Sequence, residues 1–209
     1  MRVGFIGLGN MGQGMARNLH AYCKAQGFEF SVHDINKDAM LPFIQNGANP
    51  RKSITAIAKN SDIIFTSLPS SKQVNEIALG PEGLLESLPQ NAVWFETSTS
   101  DLSKWQKVRD VAPKHLTLID APVTGGTEGA AAGTLTMLLG AEEQNITPHL
   151  PLLKSFTKKQ VIMGPSGAGY IAKLSQLHLN YLVAQGIGEA LMMGAKGGLN
   201  LNVVSDVLS

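Results

Sequence analysis

Six residues near the amino terminus have the types and spacing to hold a phosphate. Gly7-Leu8-Gly9-Asn10-Met11-Gly12 closes a short apolar run, residues 2–7, and opens a stretch, residues 10–26, with apolar side chains at helical spacing. In that setting the first glycine makes a tight turn and the second lets backbone approach a pyrophosphate. The third lets helix and strand pack closely, and the helix start offers free N–H groups and the positive end of its dipole. A second strand-like run, residues 28–34, ends on Asp34, 22 positions after Gly12. A carboxylate there can accept both ribose hydroxyls of NAD and would repel the 2′-phosphate of NADP. The pattern favours NAD, with Lys37 the one nearby cation that would admit NADP. The plainer alternative is that Asp34 only ends its strand or caps the next helix.

Two further loops fall where open α/β sheets bind ligands, at the carboxyl ends of their strands. Leu68-Pro69-Ser70-Ser71 closes the apolar run 62–68, and Thr97-Ser98-Thr99-Ser100 follows the run 92–96. Both are also ordinary turn and helix-cap sequences. A further run at 116–121 continues the series, and helical stretches lie near 37–46, 53–59, 71–78, 81–88 and 102–114. Such alternation predicts a doubly wound, mostly parallel sheet covered on both faces, a Rossmann-type α/β fold. A small-residue segment, 124–133, interrupts it. A strand at 134–140, a helix near 142–155 and a strand near 160–163 then complete the α/β unit.

After the break at 164–169 there is no proline from Tyr170 to about Lys196, and apolar residues recur on most faces. The spacing predicts one helix of roughly 40 Å. A helix apolar on so many faces needs burial, and the few residues after it are too few to supply it. The chain therefore divides into a dinucleotide-binding domain at 1–165 and, at 166–209, the interdomain helix and first part of an all-α domain whose remainder lies outside it.

Composition excludes several alternatives. The 209 residues carry a formal net charge of +1 without a basic stripe, so neither nucleic acid nor an anionic membrane is an expected partner. Cys23 is the single cysteine, which fits a reducing compartment and permits no internal disulfide. No run reaches the roughly 18 apolar residues of a membrane span. The amino terminus enters a strand directly, so a cytoplasmic protein is expected, with an organellar matrix as the alternative. His33, His115, His149 and His178 lack metal-ligand spacing and read as ordinary surface or core residues.

Three motifs carry a family resemblance. GLGNMGQGMARNL (7–19) is similar to the amino-terminal fingerprint of the β-hydroxyacid dehydrogenases, a group that includes 3-hydroxyisobutyrate dehydrogenase and 2-hydroxy-3-oxopropionate reductase. DAPVTGGTEGAAAGTLTMLLGA (120–141) resembles the family's substrate-side segment, and GAGYIAK (167–173) resembles the start of its interdomain helix. The resemblance implies a nicotinamide-binding domain like that of 6-phosphogluconate dehydrogenase and hydride transfer between NAD and a short 3-hydroxy acid or its semialdehyde. It places Gly7, Leu8, Gly9, Asn10, Met11 and Gly12 at the pyrophosphate and Asp34 at the adenosine ribose. Leu68 and Pro69 would pass beside the cofactor and Thr99 near its nicotinamide end. Thr124, Gly125 and Gly126 would receive the substrate carboxylate, and Lys173 would be the general acid/base. A partly desolvated lysine beside a cationic ring suits that task, because both influences lower its pKa.

The sequence departs from the pattern where the family carries an asparagine three or four residues beyond the lysine. Gln176 and Leu177 stand there, and Gln176 offers an amide one methylene further out; Asn180 lies about 10 Å along the helix. Two other functions compete with the leading one: an NADPH-preferring reductase of the same family, and a non-catalytic dinucleotide-binding module. A homodimer or higher homo-oligomer formed through the long helix is the expected assembly.

Overall fold

The computed structural model describes residues 1–208. Its elements in chain order begin with β1 (Arg2–Ile6), α1 (Gly12–Ala25), β2 (Glu29–His33), α2 (Lys37–Gln45), β3 (Asn49–Pro50), α3 (Ile54–Ala58), β4 (Ile63–Thr66) and α4 (Ser71–Leu79). There follow α5 (Leu84–Ser87), β5 (Val93–Glu96), α6 (Leu102–Val111), β6 (Thr117–Asp120), β7 (Val123–Thr124), α7 (Gly126–Ala132) and β8 (Leu135–Gly140). The chain continues through α8 (Glu143–Ile146), a 3₁₀ turn (Thr147–His149), α9 (Leu150–Leu153), β9 (Thr157–Gly164), α10 (Ala168–Lys196) and α11 (Leu201–Leu208).

Strands β1 to β6 are parallel in the order 3-2-1-4-5-6, the doubly wound arrangement expected. The central strands read VGFI, IIFT and VWFE and are buried throughout, because helices cover both faces. Alternate side chains feed two cores. Phe5, Phe65 and Phe95 stack across three strands beneath Met15 and Leu19 of α1. On the other face Ile64 and Trp94 meet Trp105 of α6 and Tyr170 of α10. Side-chain caps mark several helix starts: Asn36, Ser53, Ser70 and Asp101 each accept a backbone N–H from the first turn that follows.

The far edge departs from the simple pattern. β8 runs antiparallel to β6 and β7 and parallel to β9. Asp120 faces Gly140, Val123 faces Met137 and Thr124 faces Thr136 in one unbroken register. β6 and β7 are thus two parts of one extended segment that leaves β5 at Ala121 and carries Thr124 beyond the parallel strands.

Several local expectations are refined. The stretch near 142–155 is two short helices around a 3₁₀ turn, because Pro148 and Pro151 interrupt regular helical bonding. The stretch near 81–88 keeps helix only at Leu84–Ser87, and the small-residue segment contains α7. Two compact units result, residues 1–173 and 174–209, the division falling inside α10. Among the described residues no helix is long and apolar enough to cross a membrane.

Candidate functional site

Strand register assembles the site. His33, Ile6, Thr66, Glu96 and Asp120 form one row across β2, β1, β4, β5 and β6, with Gly140 of β8 extending it. The loops at 7–12, 34–36, 68–71 and 97–100 leave the sheet just past this row, whereas the 124–126 turn follows β7, four residues beyond Asp120.

The glycine turn leaves β1 through Gly7, whose φ of +91° suits glycine. A Cβ on Gly7 would lie 2.1 Å from the Ser67 carbonyl oxygen, and one on Gly12 would lie 1.9 Å from the Gly7 carbonyl oxygen. Those two glycines therefore permit the fold. Gly9 differs: it is exposed, with open space where a side chain would stand. The first turn of α1 has no side-chain cap; the Gln13 N–H is taken by the Gly9 carbonyl oxygen at 2.9 Å. A backbone cradle with room above the middle glycine fits a pyrophosphate.

Asp34 has a task within the protein as well. Its Oδ2 accepts the Leu8 N–H at 2.6 Å and its Oδ1 accepts the Asn36 N–H at 2.7 Å. The carboxylate thus latches the glycine turn to the loop after β2. Two of its roughly four acceptor directions are used, which leaves capacity for ribose hydroxyls.

Beyond β4, the Leu68 N–H donates to Ser98 Oγ at 2.8 Å, tying that loop to the one after β5. Pro69 and Thr99 lie on the two loops, and both are exposed. Thr124 is half-buried, and Gly125 and Gly126 are exposed with φ of +129° and +67° at the start of α7. α7 is held against α1: a Cβ on Gly14 would lie 2.7 Å from the Ala130 carbonyl carbon, and Asn18 Nδ2 donates to Ala130 O at 2.9 Å.

The start of α10 is anchored by a residue that sequence reasoning left without a role. Asp120 accepts the Gly167 N–H at 2.7 Å, the Tyr170 N–H at 3.2 Å and the Ser166 hydroxyl at 3.1 Å. It is a helix cap supplied from a strand, so no local spacing reveals it. Burial raises the Asp120 pKa despite these donors. Gly169 permits the approach, since a Cβ there would lie 2.5 Å from the Leu138 carbonyl oxygen. Lys173 follows Tyr170 by three residues, nearly on the same helix face and about 4.5 Å along the axis. Its side chain is buried, burial lowers its pKa, and Nζ has no hydrogen-bond or ion-pair partner among the described residues. Gln176 belongs to the second compact unit, and its amide oxygen is buried without a partner among the described residues.

A glycine turn at the strand-order switch, an acid just past the second strand and loops gathered at one end of the sheet define a dinucleotide-binding α/β domain. Residues 2–164 match the family model described as the NAD binding domain of 6-phosphogluconate dehydrogenase. The chain is 34% identical to the 3-hydroxyisobutyrate dehydrogenase of Pseudomonas aeruginosa over 99% of its own length and 68% of the relative's. It is likewise 34% identical to the probable mitochondrial 3-hydroxyisobutyrate dehydrogenase of Arabidopsis thaliana, covering 99% of the chain and 62% of that protein. The solved structure of the Mycobacterium tuberculosis 3-hydroxyisobutyrate dehydrogenase with L-serine superposes with a TM-score of 0.86 at 27% identity, over 99% of this chain and 69% of that one. The chain belongs to the β-hydroxyacid dehydrogenase family, and its cofactor is a nicotinamide dinucleotide, NAD or NADP. It spans about two thirds of the length of these relatives.

Proposed function

We propose that the protein of which these residues form part is an NAD-preferring oxidoreductase acting on a short 3-hydroxy acid or its semialdehyde, with Lys173 as the acid/base. The observation that carries this reading is a lysine that is buried, unpaired among the described residues, and lowered in pKa by burial, on the first turns of a helix anchored to the cofactor-binding edge of the sheet. A lysine that only stabilised the fold would be solvated or paired.

When bound, the nicotinamide supplies a hydride acceptor or donor at its C4. The chain's own residues do the rest. The 7–12 turn binds the phosphates and Asp34 the ribose. Residues 124–126 present a hydroxyl and backbone N–H groups to a carboxylate. Lys173 Nζ takes the substrate hydroxyl proton in the oxidative direction and returns it in the reductive one. Gln176 is proposed to orient substrate, because a buried amide oxygen without a donor is costly unless a ligand supplies one. Residues 166–209 are proposed to be the first part of an all-helical substrate and dimerisation domain, in a homo-oligomer. A reducing compartment, cytoplasm or organellar matrix, fits a lone cysteine whose burial pushes its thiol up to about 12.

Lys173→Met in the full-length protein is expected to cut turnover by roughly 10² or more, the usual contribution of a positioned proton-transfer group. NAD affinity measured by calorimetry should barely change, since the phosphate and ribose contacts lie on other loops. Intact turnover would remove Lys173 from the mechanism. A full-length protein that binds NAD yet turns over no short hydroxy acid would instead be a binding module.

A further inference from the structure

One buried pair has no part in holding cofactor or substrate. Glu96 closes β5 fully buried and accepts the Ser98 N–H at 2.9 Å, the Thr66 hydroxyl at 3.3 Å, the Ser100 hydroxyl at 3.4 Å and the Tyr170 phenol. Tyr170 is itself fully buried, with Trp105 edge-on to its ring. A carboxylate removed from water is costly even when hydrogen-bonded, and an apolar residue would fill the space more cheaply. Burial raises the Glu96 pKa, as that cost requires.

Geometry says what the pair accomplishes. Asp120 holds the helix through backbone N–H groups, which lie close to its axis. A hold near the axis fixes where a helix starts and leaves it free to roll. A tether at the end of a long side chain stops the roll. Tyr170 has both, its N–H on Asp120 and its phenol on Glu96, and those carboxylates occupy matched positions on adjacent strands.

We infer that Tyr170 is a positioning residue for Lys173: the Glu96 tether on its phenol fixes the rotation of the first turns of α10 relative to the 98–100 loop. This rests on the acid/base reading of Lys173. A roll of about 10° carries a group about 6 Å from the helix axis through about 1 Å, and misplacement on that scale can cost as much as 10² in rate. Glu96 orders the other partner too, because Ser98, which donates its N–H to Glu96, also accepts the Leu68 N–H.

The test compares Tyr170→Phe, Glu96→Gln and Lys173→Met in the full-length protein. Phenylalanine fills the ring's space without the hydroxyl. Glutamine keeps the tether, since its amide can donate to the phenol oxygen. Tyr170→Phe is expected to lower kcat about tenfold or more, with KM and NAD affinity changed less than about twofold. Glu96→Gln should stay near wild type. A second readout needs no turnover: lysines are reductively methylated with ¹³C, and the Lys173 resonance, assigned by its loss in Lys173→Met, is titrated by NMR. Its midpoint should rise in Tyr170→Phe, as a loosened helix start lets water reach the ammonium, and hold in Glu96→Gln. An unchanged midpoint and unchanged kcat in Tyr170→Phe would overturn the inference. A raised midpoint in an enzyme whose turnover ignores Lys173→Met would keep the tether and overturn the acid/base reading.

Discussion

At the scale of single residues, two carboxylates act in opposite senses. Asp34 remains half-exposed: it latches the glycine turn and is proposed to hold the ribose as well. Asp34→Ala removes an acceptor from the Leu8 N–H and from a ribose. A hydrogen bond to a charged group is worth about 1.5–3 kcal/mol, so NAD affinity should fall roughly tenfold or more, and the preference over NADP should narrow. Calorimetry of both dinucleotides checks this; a wild-type protein that binds NADP as tightly as NAD would refute the Asp34 assignment. Glu96 carries no such exposure, and its raised pKa has a definite consequence for stability. Between the ordinary glutamate range and the raised value, the folded state binds more protons than the unfolded state. Stability from this group is therefore fully present at acid pH and lost as pH rises through that window. Glu96→Gln removes the titration, so its melting temperature relative to wild type should increase as pH rises from the ordinary glutamate range through the raised one. A difference that is flat or falls with pH would contradict the buried carboxylate.

At the scale of elements, glycines at close approaches set what can move. Gly14 lets α7 rest on α1, and α7 begins at the Gly125-Gly126 turn proposed to receive the substrate carboxylate. Glycine to alanine inside a helix ordinarily gains about 1 kcal/mol, whereas forcing a methyl into a filled interface costs typically about 1–3 kcal/mol. With backbone atoms of Ala130 and Ala131 under 3.0 Å from the new Cβ, crowding should win at Gly14. Gly14→Ala should lower the urea midpoint, while Gly186→Ala on α10, where the Cβ meets open space, should raise it. A stabilised Gly14→Ala would show that α7 can shift at little cost. The same contrast explains what the sequence made legible. The glycine turn, Asp34 and the strand alternation are local patterns, and each stands where its spacing placed it. The ties of Asp120 and Glu96 to the start of α10 escaped because they span 46 to 74 positions. The run Gly129-Ala130-Ala131-Ala132 is too bland in hydropathy to announce α7, and the antiparallel turn of β8 rests on pairing that hydropathy cannot express.

At the scale of the whole molecule, the second compact unit has a surface that asks for cover. Leu179, Tyr181, Leu182, Val183, Met192 and Met193 are all more than half exposed, Tyr181 at 70% and Met193 at 74%. α11 closes back on α10 where Val204 meets Gly194, yet Val203 and Val207 remain exposed. Soluble monomers rarely leave a contiguous apolar patch beyond a few hundred Å². Because the exposed residues encircle much of the helix, a partner presenting the same helix about a two-fold axis would bury matching faces on both copies. Light scattering at micromolar concentration is therefore expected to give a dimer or higher oligomer. Leu182→Glu should move the population toward monomer without weakening NAD binding, since the proposed dinucleotide contacts all lie within residues 1–173. A wild-type protein that remains monomeric at that concentration would overturn the self-association reading, and a Leu182→Glu oligomer as tight as wild type would move the interface off this helix.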